Sequence, residues 1–565
     1  MVNAFSHSVF QFSFGQSDSN MKKILLCLLL VSVFAHAQTL VSYNLIRSYT
    51  TTQIDSILAA NGIPGIILPS TYDVEVYKVI YNTADADTLP IVASGALFIP
   101  KNPQCRVPVM SYQHGTVSVK TDVPSTLQAL EVIIGETSAS DGAVVAMPDY
   151  IGLGDSPGLH PYVHAYTEAR ATADLLVVAE QICDELDVTR NGQLFLFGYS
   201  QGGHATMAAH QLIQEQYGNY FSVTASVPMS GPYDLSGVQS QVITSYNTYP
   251  NPGYIPYMFL AYNSIYHIYP SVSDFMISPY DSILPPLFDG THDLGEVNSL
   301  MPDTPNQILV PAILDSFQND PDFRLYHYLQ LNDTYNWTPQ SPVRMYYCEG
   351  DNDVNYLNAF TAYDHFIANG ATNIVKQSNG ANYDHAGCVF PSLLAAKGFF
   401  DSLRLDVLKI AFETHPASSA TASDGSLVAH VASGFPPYTY SWSNGATDSV
   451  NENIPAGFYS LSVTDATGCQ ASSSQYLSVQ VGIDEVMAQQ TRILPNPVSS
   501  VGTIQFPTEG DYTLDIFDAS GRSFLHDRFR GGEYILLRKN FNAGVYLVRM
   551  KKDEGLPFVK MVVMQ

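Results

Sequence analysis

Positive charge is scarce in this chain: 25 Lys and Arg stand against 52 Asp and Glu, for a formal net charge of -27. Such a field disfavours phosphate backbones and anionic membrane surfaces as partners and favours the solubility of an exported protein. Charged residues of either sign make up 14% of the chain while hydrophobic ones reach 46%, the balance of a globular protein. Cysteine is sparse, with 6 in 565 residues, and no Cys or His cluster has the spacing of a metal site. Long apolar runs are missing too. Outside one short run near the N-terminus, nothing approaches the roughly twenty apolar residues that a membrane-spanning helix needs.

That short run belongs to a leader. Met21-Lys22-Lys23, an apolar core over residues 24–34 and Ala35-His36-Ala37 follow the charged, apolar, small-residue order of a secretory signal peptide, with cleavage expected after Ala37. Residues 1–20 then read as an over-extended start and take no part in the fold. Cys27 falls inside the signal, which leaves Cys105, Cys183, Cys348, Cys388 and Cys469. Cys348 and Cys388 each lie three residues from a candidate catalytic residue, so the fold could join them. The alternative is that they are free buried thiols.

A chain of this length is expected to form several domains. Residues 38–414 alternate apolar strands with amphipathic helices, as an α/β sheet domain does. Residues 107–112, 143–147, 221–228 and 343–348 read as strands, residues 171–186 as a helix, and Arg190-Asn191-Gly192 as a turn into a further strand. Between 235 and 342 lies an insertion rich in Tyr, Phe, Pro and Asn, too long for a structureless loop and therefore expected to be a cap over the active site. Its aromatics either line an acyl channel or pack the cap. After residue 414 the composition shifts to Ser, Ala, Gly, Thr and Pro with short alternating strands, which predicts small β-sandwiches over 415–482 and 491–565, joined by a linker at 483–490. Trp442 is expected in a core.

The chemistry centres on Gly198-Tyr199-Ser200-Gln201-Gly202-Gly203, set between the apolar run Leu194-Phe195-Leu196-Phe197 and a helix-forming stretch. A strand–turn–helix with serine at its apex is a nucleophile elbow: side chains two before and two after the serine would collide with neighbouring backbone and spoil the strained turn. Gly203 and Ala205 keep the following helix slim. A serine hydroxyl needs a base within hydrogen-bond reach and a carboxylate to orient that base. His385, in a loop before the last helix, supplies the base. For the acid, Asp351 is preferred to Asp353, which could instead cap a helix over 356–366. A negative tetrahedral intermediate needs backbone amides, and these are expected from Gln201 and from Thr116 in the turn Gln113-His114-Gly115-Thr116, with Gly115 as the fallback. His114 precedes the nucleophile in the chain and is not the base.

Tyr112-Gln113-His114-Gly115-Thr116, Met147-Pro148-Asp149-Tyr150-Ile151-Gly152-Leu153-Gly154-Asp155-Ser156, His160-Pro161-Tyr162, the elbow and the Asp351 and His385 loops together resemble the secretory lipase family, over most of residues 70–402. The resemblance implies an α/β-hydrolase fold with a cap, and hydrolysis of carboxylic esters without a cofactor. In the glycine-rich stretch 149–156 no Lys stands where a phosphate-binding loop requires one. The stretch is read instead as a structural loop near the oxyanion side. Two blocks, residues 434–445 and 456–469, resemble the SprB-type gliding-adhesin repeat, which implies a spacer or a binding module. Ile493-Leu494-Pro495-Asn496-Pro497, residues 512–522 and Ala543-Gly544-Val545-Tyr546-Leu547 resemble the C-terminal sorting domain of type IX secretion, which implies delivery to the surface or medium.

The expectation is a secreted serine hydrolase of carboxylic esters, a lipase or carboxylesterase. Its expected partners are an ester substrate, the type IX machinery and, for a lipid substrate, a lipid–water interface. A serine peptidase of the same fold, or an adhesion protein with a vestigial hydrolase domain, are the competing readings.

Overall fold

The computed structural model describes residues 39–565 apart from 64–67, 69, 420, 480–484 and 554. The expected signal peptide and the residues before it lie outside the described residues. The chain divides into two compact units. One runs up to Lys409 and includes Val431–Tyr438 and Thr464–Ala471; the other comprises Ile410–His430, Thr439–Val463 and Ser472–Gln565.

A nine-stranded sheet organises the first unit. It contains β1 (Leu40–Tyr49), β2 (Val74–Ala84), β3 (Pro90–Pro100), β4 (Val107–Gln113), β5 (Val144–Pro148), β6 (Arg190–Tyr199), β7 (Val223–Met229), β8 (Val343–Tyr347) and β9 (Ile374–Ser378), in the order β1-β2-β3-β5-β4-β6-β7-β8-β9. From β5 to β9 neighbouring strands are parallel, whereas β1, β2 and β3 join antiparallel. Parallel strands covered on both faces read as continuous apolar runs, and β6 shows why. Leu194 and Leu196 pack into the layer made with helices Ala165–Glu185 and Gln201–Gln216, while Phe195, Phe197 and Tyr199 point the other way, towards Val132–Ser140 and Val389–Leu403.

Two local expectations shift. The helix expected from 171 begins at Ala165, because His164 caps it by accepting from the Thr167 N–H and the small residues Ala169, Ala171 and Ala173 let its first turns pack closely. Arg190-Asn191-Gly192 is no separate turn: β6 already starts there as an irregularity in its pairing with β4, with Gly192 at φ 83°.

Residues 235–342 fold as a cap with its own core. Helices Tyr254–Tyr266, Pro311–Asn319 and Arg324–Leu331 bring together Phe259, Tyr262, Phe275, Met276 and Leu325, all almost fully buried. Most of these aromatics therefore pack the cap.

In the second unit, β10 (Ile410–His415), β11 (Gly425–Val431) and β13 (Val450–Ile454) form one small sheet, and β12 (Thr439–Trp442), β14 (Gly457–Thr464) and β15 (Gln470–Leu477) another. Trp442 is buried and donates its indole N–H to the Asp448 carbonyl at 2.8 Å, a core role. Within 483–490 the chain forms the helix Glu485–Gln490. The C-terminal sheet is built from β16 (Arg492–Leu494), β17 (Val501–Asp518), β18 (Ser523–Leu537), β19 (Gly544–Lys552) and β20 (Phe558–Met564), all pairing antiparallel around the long β17.

Candidate active site

Ser200 sits between the end of β6 and the helix Gln201–Gln216 at φ 61° and ψ -122°, a left-handed-side conformation that a non-glycine residue adopts at a cost. Its own N–H is held by the Met229 carbonyl at 3.0 Å. The flanking glycines are obligatory. A Cβ on Gly198 would land on the Gly202 carbonyl oxygen, and one on Gly202 would land on the Gln113 carbonyl oxygen. On Gly203 it would stand 2.5 Å from the Met229 oxygen. Strand β4, the elbow and β7 thus meet backbone to backbone.

Asp351 and His385 come together across 34 residues of sequence, His385 Nδ1 lying 2.8 Å from Asp351 Oδ2. The other Asp351 oxygen accepts the Asp353 and Val354 N–H groups at 3.1 and 2.9 Å, which fixes the carboxylate in its turn. Asp353 is engaged elsewhere: Oδ2 accepts from Asn251 Nδ2 at 2.6 Å, and burial holds its pKa above the ordinary carboxylate value. It does not cap the following helix, Leu357–Ala368, whose first N–H goes to Asn355 Oδ1 at 3.0 Å. A disulfide between Cys348 and Cys388 ties the end of β8 to the start of helix Val389–Leu403, and so joins the two loops. A second disulfide, Cys105–Cys469, had no signal in the sequence, and Cys183 is a buried free thiol.

Tyr199, inside the elbow motif, is a residue that sequence reasoning passed over. Its hydroxyl donates to the His385 carbonyl at 2.7 Å and its ring lies 5.1 Å from the imidazole, so the residue before Ser200 carries the histidine loop. Among the described residues no direct hydrogen bond joins Ser200 to His385. Such bonds are often long until substrate binds.

On the oxyanion side, Gln201 opens its helix, where first-turn N–H groups have no partner within the helix. Thr116 Oγ1 is 3.1 Å from the Tyr162 hydroxyl, and no acceptor for the Thr116 N–H occurs among the described residues. The fallback donor, the Gly115 N–H, is already taken by the Glu131 carboxylate at 3.0 Å. His114 is buried, with Nδ1 2.8 Å from the Gly115 carbonyl, and burial lowers its pKa. Asp149 and Tyr150 brace this turn: the Tyr150 hydroxyl donates to the His114 carbonyl at 3.1 Å, and Asp149 accepts from Ser94 Oγ at 2.6 Å and from the Ser125 N–H at 2.9 Å. The 149–156 stretch is accordingly a bracing loop.

A buried polar network beneath Gln201 also went unseen in the sequence. Gln201 Nε2 donates to Glu168 Oε1 at 2.7 Å, and the other Glu168 oxygen meets His204 Nδ1 at 2.7 Å. Burial opposes charge on His204, but the Glu168 carboxylate outweighs it and holds the imidazole pKa above the ordinary value. His160 lies 2.7 Å from Gln201 Nε2 with no carboxylate partner among the described residues, and burial drives its pKa down to about 3. The elbow's helix thus starts on a fixed polar base.

A cavity opens at Ser200 and Gln201 and is walled by Tyr162, Leu235, Ile243, Tyr254, Ile255, Met258 and Leu329, mostly from the cap. Among the described residues no group of His, Cys, Asp and Glu could hold a metal ion.

The secretory lipase family model matches residues 117–278, which hold the elbow, while an SprB repeat matches 414–447 and a secretion system C-terminal sorting domain matches 492–565. A curated endo-acting ulvan lyase of Formosa agariphila is 28% identical over 89 residues, 16% of this chain and 17% of that one. Among solved structures, a Legionella pneumophila protein named as a hydrolase is 28% identical, with a TM-score of 0.59, over 64% of this chain and 98% of its own. The rice cell wall degrading esterase LipA of Xanthomonas oryzae, in a ligand-bound form, is 26% identical with a TM-score of 0.58, over 65% of this chain and 99% of its own. These matches support a lipase/esterase hydrolase. The chain is a secreted or cell-surface protein with an α/β-hydrolase fold, carrying a segment that matches the secretory lipase family, an SprB repeat and a type IX sorting domain.

Proposed function

We propose that this protein is a serine ester hydrolase in which Ser200 is the nucleophile, His385 the general base, Asp351 the orienting acid, and the Gln201 and Thr116 N–H groups the oxyanion donors. The observation that carries the reading is the Asp351–His385 pair at 2.8 Å, tied through Tyr199 to an elbow that presents Ser200 at φ 61°. His385 Nε2 takes the Ser200 proton as Oγ attacks the ester carbonyl. His385 keeps its Nδ1–H, hydrogen-bonded to the Asp351 carboxylate, which stabilises the imidazolium that forms. The two amides hold the developing oxyanion, and the alcohol departs with the proton from His385. Water, deprotonated by the same histidine, then releases the acid and restores Ser200. No cofactor enters this scheme.

The mostly apolar wall of the cavity at Ser200 suits an acyl chain better than a charged peptide side chain. By analogy with the Xanthomonas esterase, esters borne on cell-wall polymers are a further substrate class to assay. The test is a p-nitrophenyl ester series from acetate to palmitate on the mature chain, with Ser200→Ala as control. Turnover should depend on Ser200, and the variant should lose roughly four orders of magnitude. Comparable turnover by pure Ser200→Ala protein would refute the assignment.

A further inference from the structure

Glu131 occupies the position just before helix Val132–Ser140, where a side chain would ordinarily cap the helix, yet it makes no such bond. Its half-buried carboxylate reaches instead to the turn after β4, where the Gly115 N–H lies 3.0 Å from Oε2 and 3.3 Å from Oε1. No ion pair is formed by this carboxylate among the described residues; the Tyr112 hydroxyl lies beside it, and the like-signed Asp122 adds repulsion. Desolvation pushes its pKa up to about 7, the Gly115 amide and Tyr112 pull it back, and Asp122 adds to the rise. A carboxylate held at such cost against a single backbone amide needs a reason.

The reason lies in where Gly115 sits. A Cβ there would stand 3.1 Å from Glu131 Oε1 and 3.7 Å from the Tyr199 carbonyl oxygen, so the turn is clasped between Glu131 and the strand that delivers Ser200. The peptide that carries the Thr116 N–H also carries the Gly115 carbonyl, which lies 2.8 Å from His114 Nδ1. With the Gly115 N–H held on the Glu131 carboxylate, both peptides flanking Gly115 are fixed, and with them the direction of the Thr116 N–H. From the far side the Tyr162 hydroxyl holds the Thr116 side chain at 3.1 Å.

We propose that Glu131 is a positioning residue of the hydrolase: by taking the Gly115 N–H it presets the turn so that the Thr116 N–H is free for the oxyanion. The proposal rests on the serine-hydrolase reading above. Glu131 touches neither substrate nor reacting atoms, and its effect belongs to the transition state rather than to substrate binding.

The test compares wild type, Glu131→Ala, Glu131→Gln and Glu131→Asp in the full mature chain. Four quantities are read: kcat and KM on p-nitrophenyl butyrate, affinity for a trifluoromethyl ketone that forms an oxyanion on the serine, and labelling of Ser200 by a fluorophosphonate. Glu131→Ala should lower kcat by about tenfold to a hundredfold with KM within about twofold, and weaken the ketone by a similar factor. Glu131→Gln keeps an acceptor oxygen and should recover kcat to within about threefold. Should the alanine variant fail to fold, Glu131→Asp decides: the retracted carboxylate should also depress kcat and ketone affinity, while the melting temperature stays near wild type. Unchanged kcat and ketone affinity in the folded Ala or Asp variant would overturn the proposal, as would a loss that Gln does not repair. A wild-type protein that neither labels at Ser200 nor hydrolyses esters would overturn the underlying hydrolase reading and this inference with it, an outcome distinct from an active wild type indifferent to Glu131.

Discussion

Ser200 is held by close backbone packing around its elbow, whereas Asp351 and His385 are held by hydrogen bonds and a disulfide between loops. At the elbow the constraint is steric: glycine at 198 and 202 because backbone oxygen occupies the space a Cβ would need, and φ 61° at the serine between them. Across the cleft the constraint is a set of ties. The Tyr199 hydroxyl carries the His385 carbonyl, and the Cys348–Cys388 bridge joins the two loops. From the cap, the Tyr249 hydroxyl and Gln239 Nε2 donate to the Asp353 carbonyl at 2.9 and 3.1 Å. A local steric device tolerates no substitution but needs little support, while a loop held by ties tolerates the loss of one. The cap, by holding the Asp353 turn, also makes the acid side depend on the cap's own folding.

The largest effect expected on the tied half comes from its centre. Asp351→Asn should lower kcat by roughly four orders of magnitude, because the amide favours the wrong imidazole tautomer and cannot balance the imidazolium. Asp353→Asn keeps an acceptor for Asn251 Nδ2 and should cost less than about tenfold. Steady-state kinetics on the two variants side by side checks the assignment, and the reverse ranking would make Asp353 the acid.

On the steric half, Gly202→Ala drives a methyl group into the Gln113 carbonyl, which cannot move without dragging β4 and the oxyanion turn with it. Overpacking of this kind should cost roughly 3 kcal/mol of stability, and the displaced turn about a hundredfold or more in kcat. Gly398, in the helix that follows the histidine loop, has nothing within 4 Å of a built Cβ. Gly398→Ala should therefore be neutral or stabilise by about 0.5–1 kcal/mol. Urea unfolding of both variants reads the difference, and similar losses in the two would erase the distinction between the halves.

How much of this was legible in the sequence follows the same divide. The elbow could be read because glycine at fixed offsets from Ser200 leaves a visible local pattern, even though part of what requires it lies in β4 and β7. The parallel sheet could be read because strands buried on both faces, such as Leu194–Phe197 in β6, are unbroken apolar runs. The start of helix Ala165–Glu185 was misjudged because its first turns are small and polar and carry little periodicity. Glu131, Glu168 and Tyr199 went unseen because their work depends on partners 16, 36 and 186 residues away, which no local pattern encodes. Between Asp351 and Asp353, two residues apart in one acidic turn, the sequence favours Asp351 without deciding. In the fold Asp351 faces His385 and Asp353 faces Asn251, contacts that no local spacing encodes.

A smaller effect on kcat than at Asp351 or Gly202 is expected from the disulfides, and it tests whether the ties act on chemistry or on stability alone. Cys348–Cys388 closes a loop 40 residues apart in sequence, for which the chain-entropy treatment gives roughly 4 kcal/mol and typical measured values are about 2–4 kcal/mol. Each cysteine lies three residues from a member of the acid–base pair. The double variant Cys348→Ala, Cys388→Ala should accordingly lose stability and also lower kcat, by about threefold to tenfold, since Tyr199 still holds the His385 carbonyl and the Val354 amide still holds Asp351. Cys105→Ala with Cys469→Ala closes the comparison, because that bridge lies away from Ser200, Asp351 and His385 in the chain and should lower the melting temperature with kcat unchanged. Thermal melts and p-nitrophenyl butyrate kinetics on both pairs separate the two roles. If the Cys348 and Cys388 variant keeps full kcat at temperatures where it remains folded, the bridge stabilises the loops without shaping them, and the Tyr199 and backbone bonds alone set the geometry of the acid–base pair.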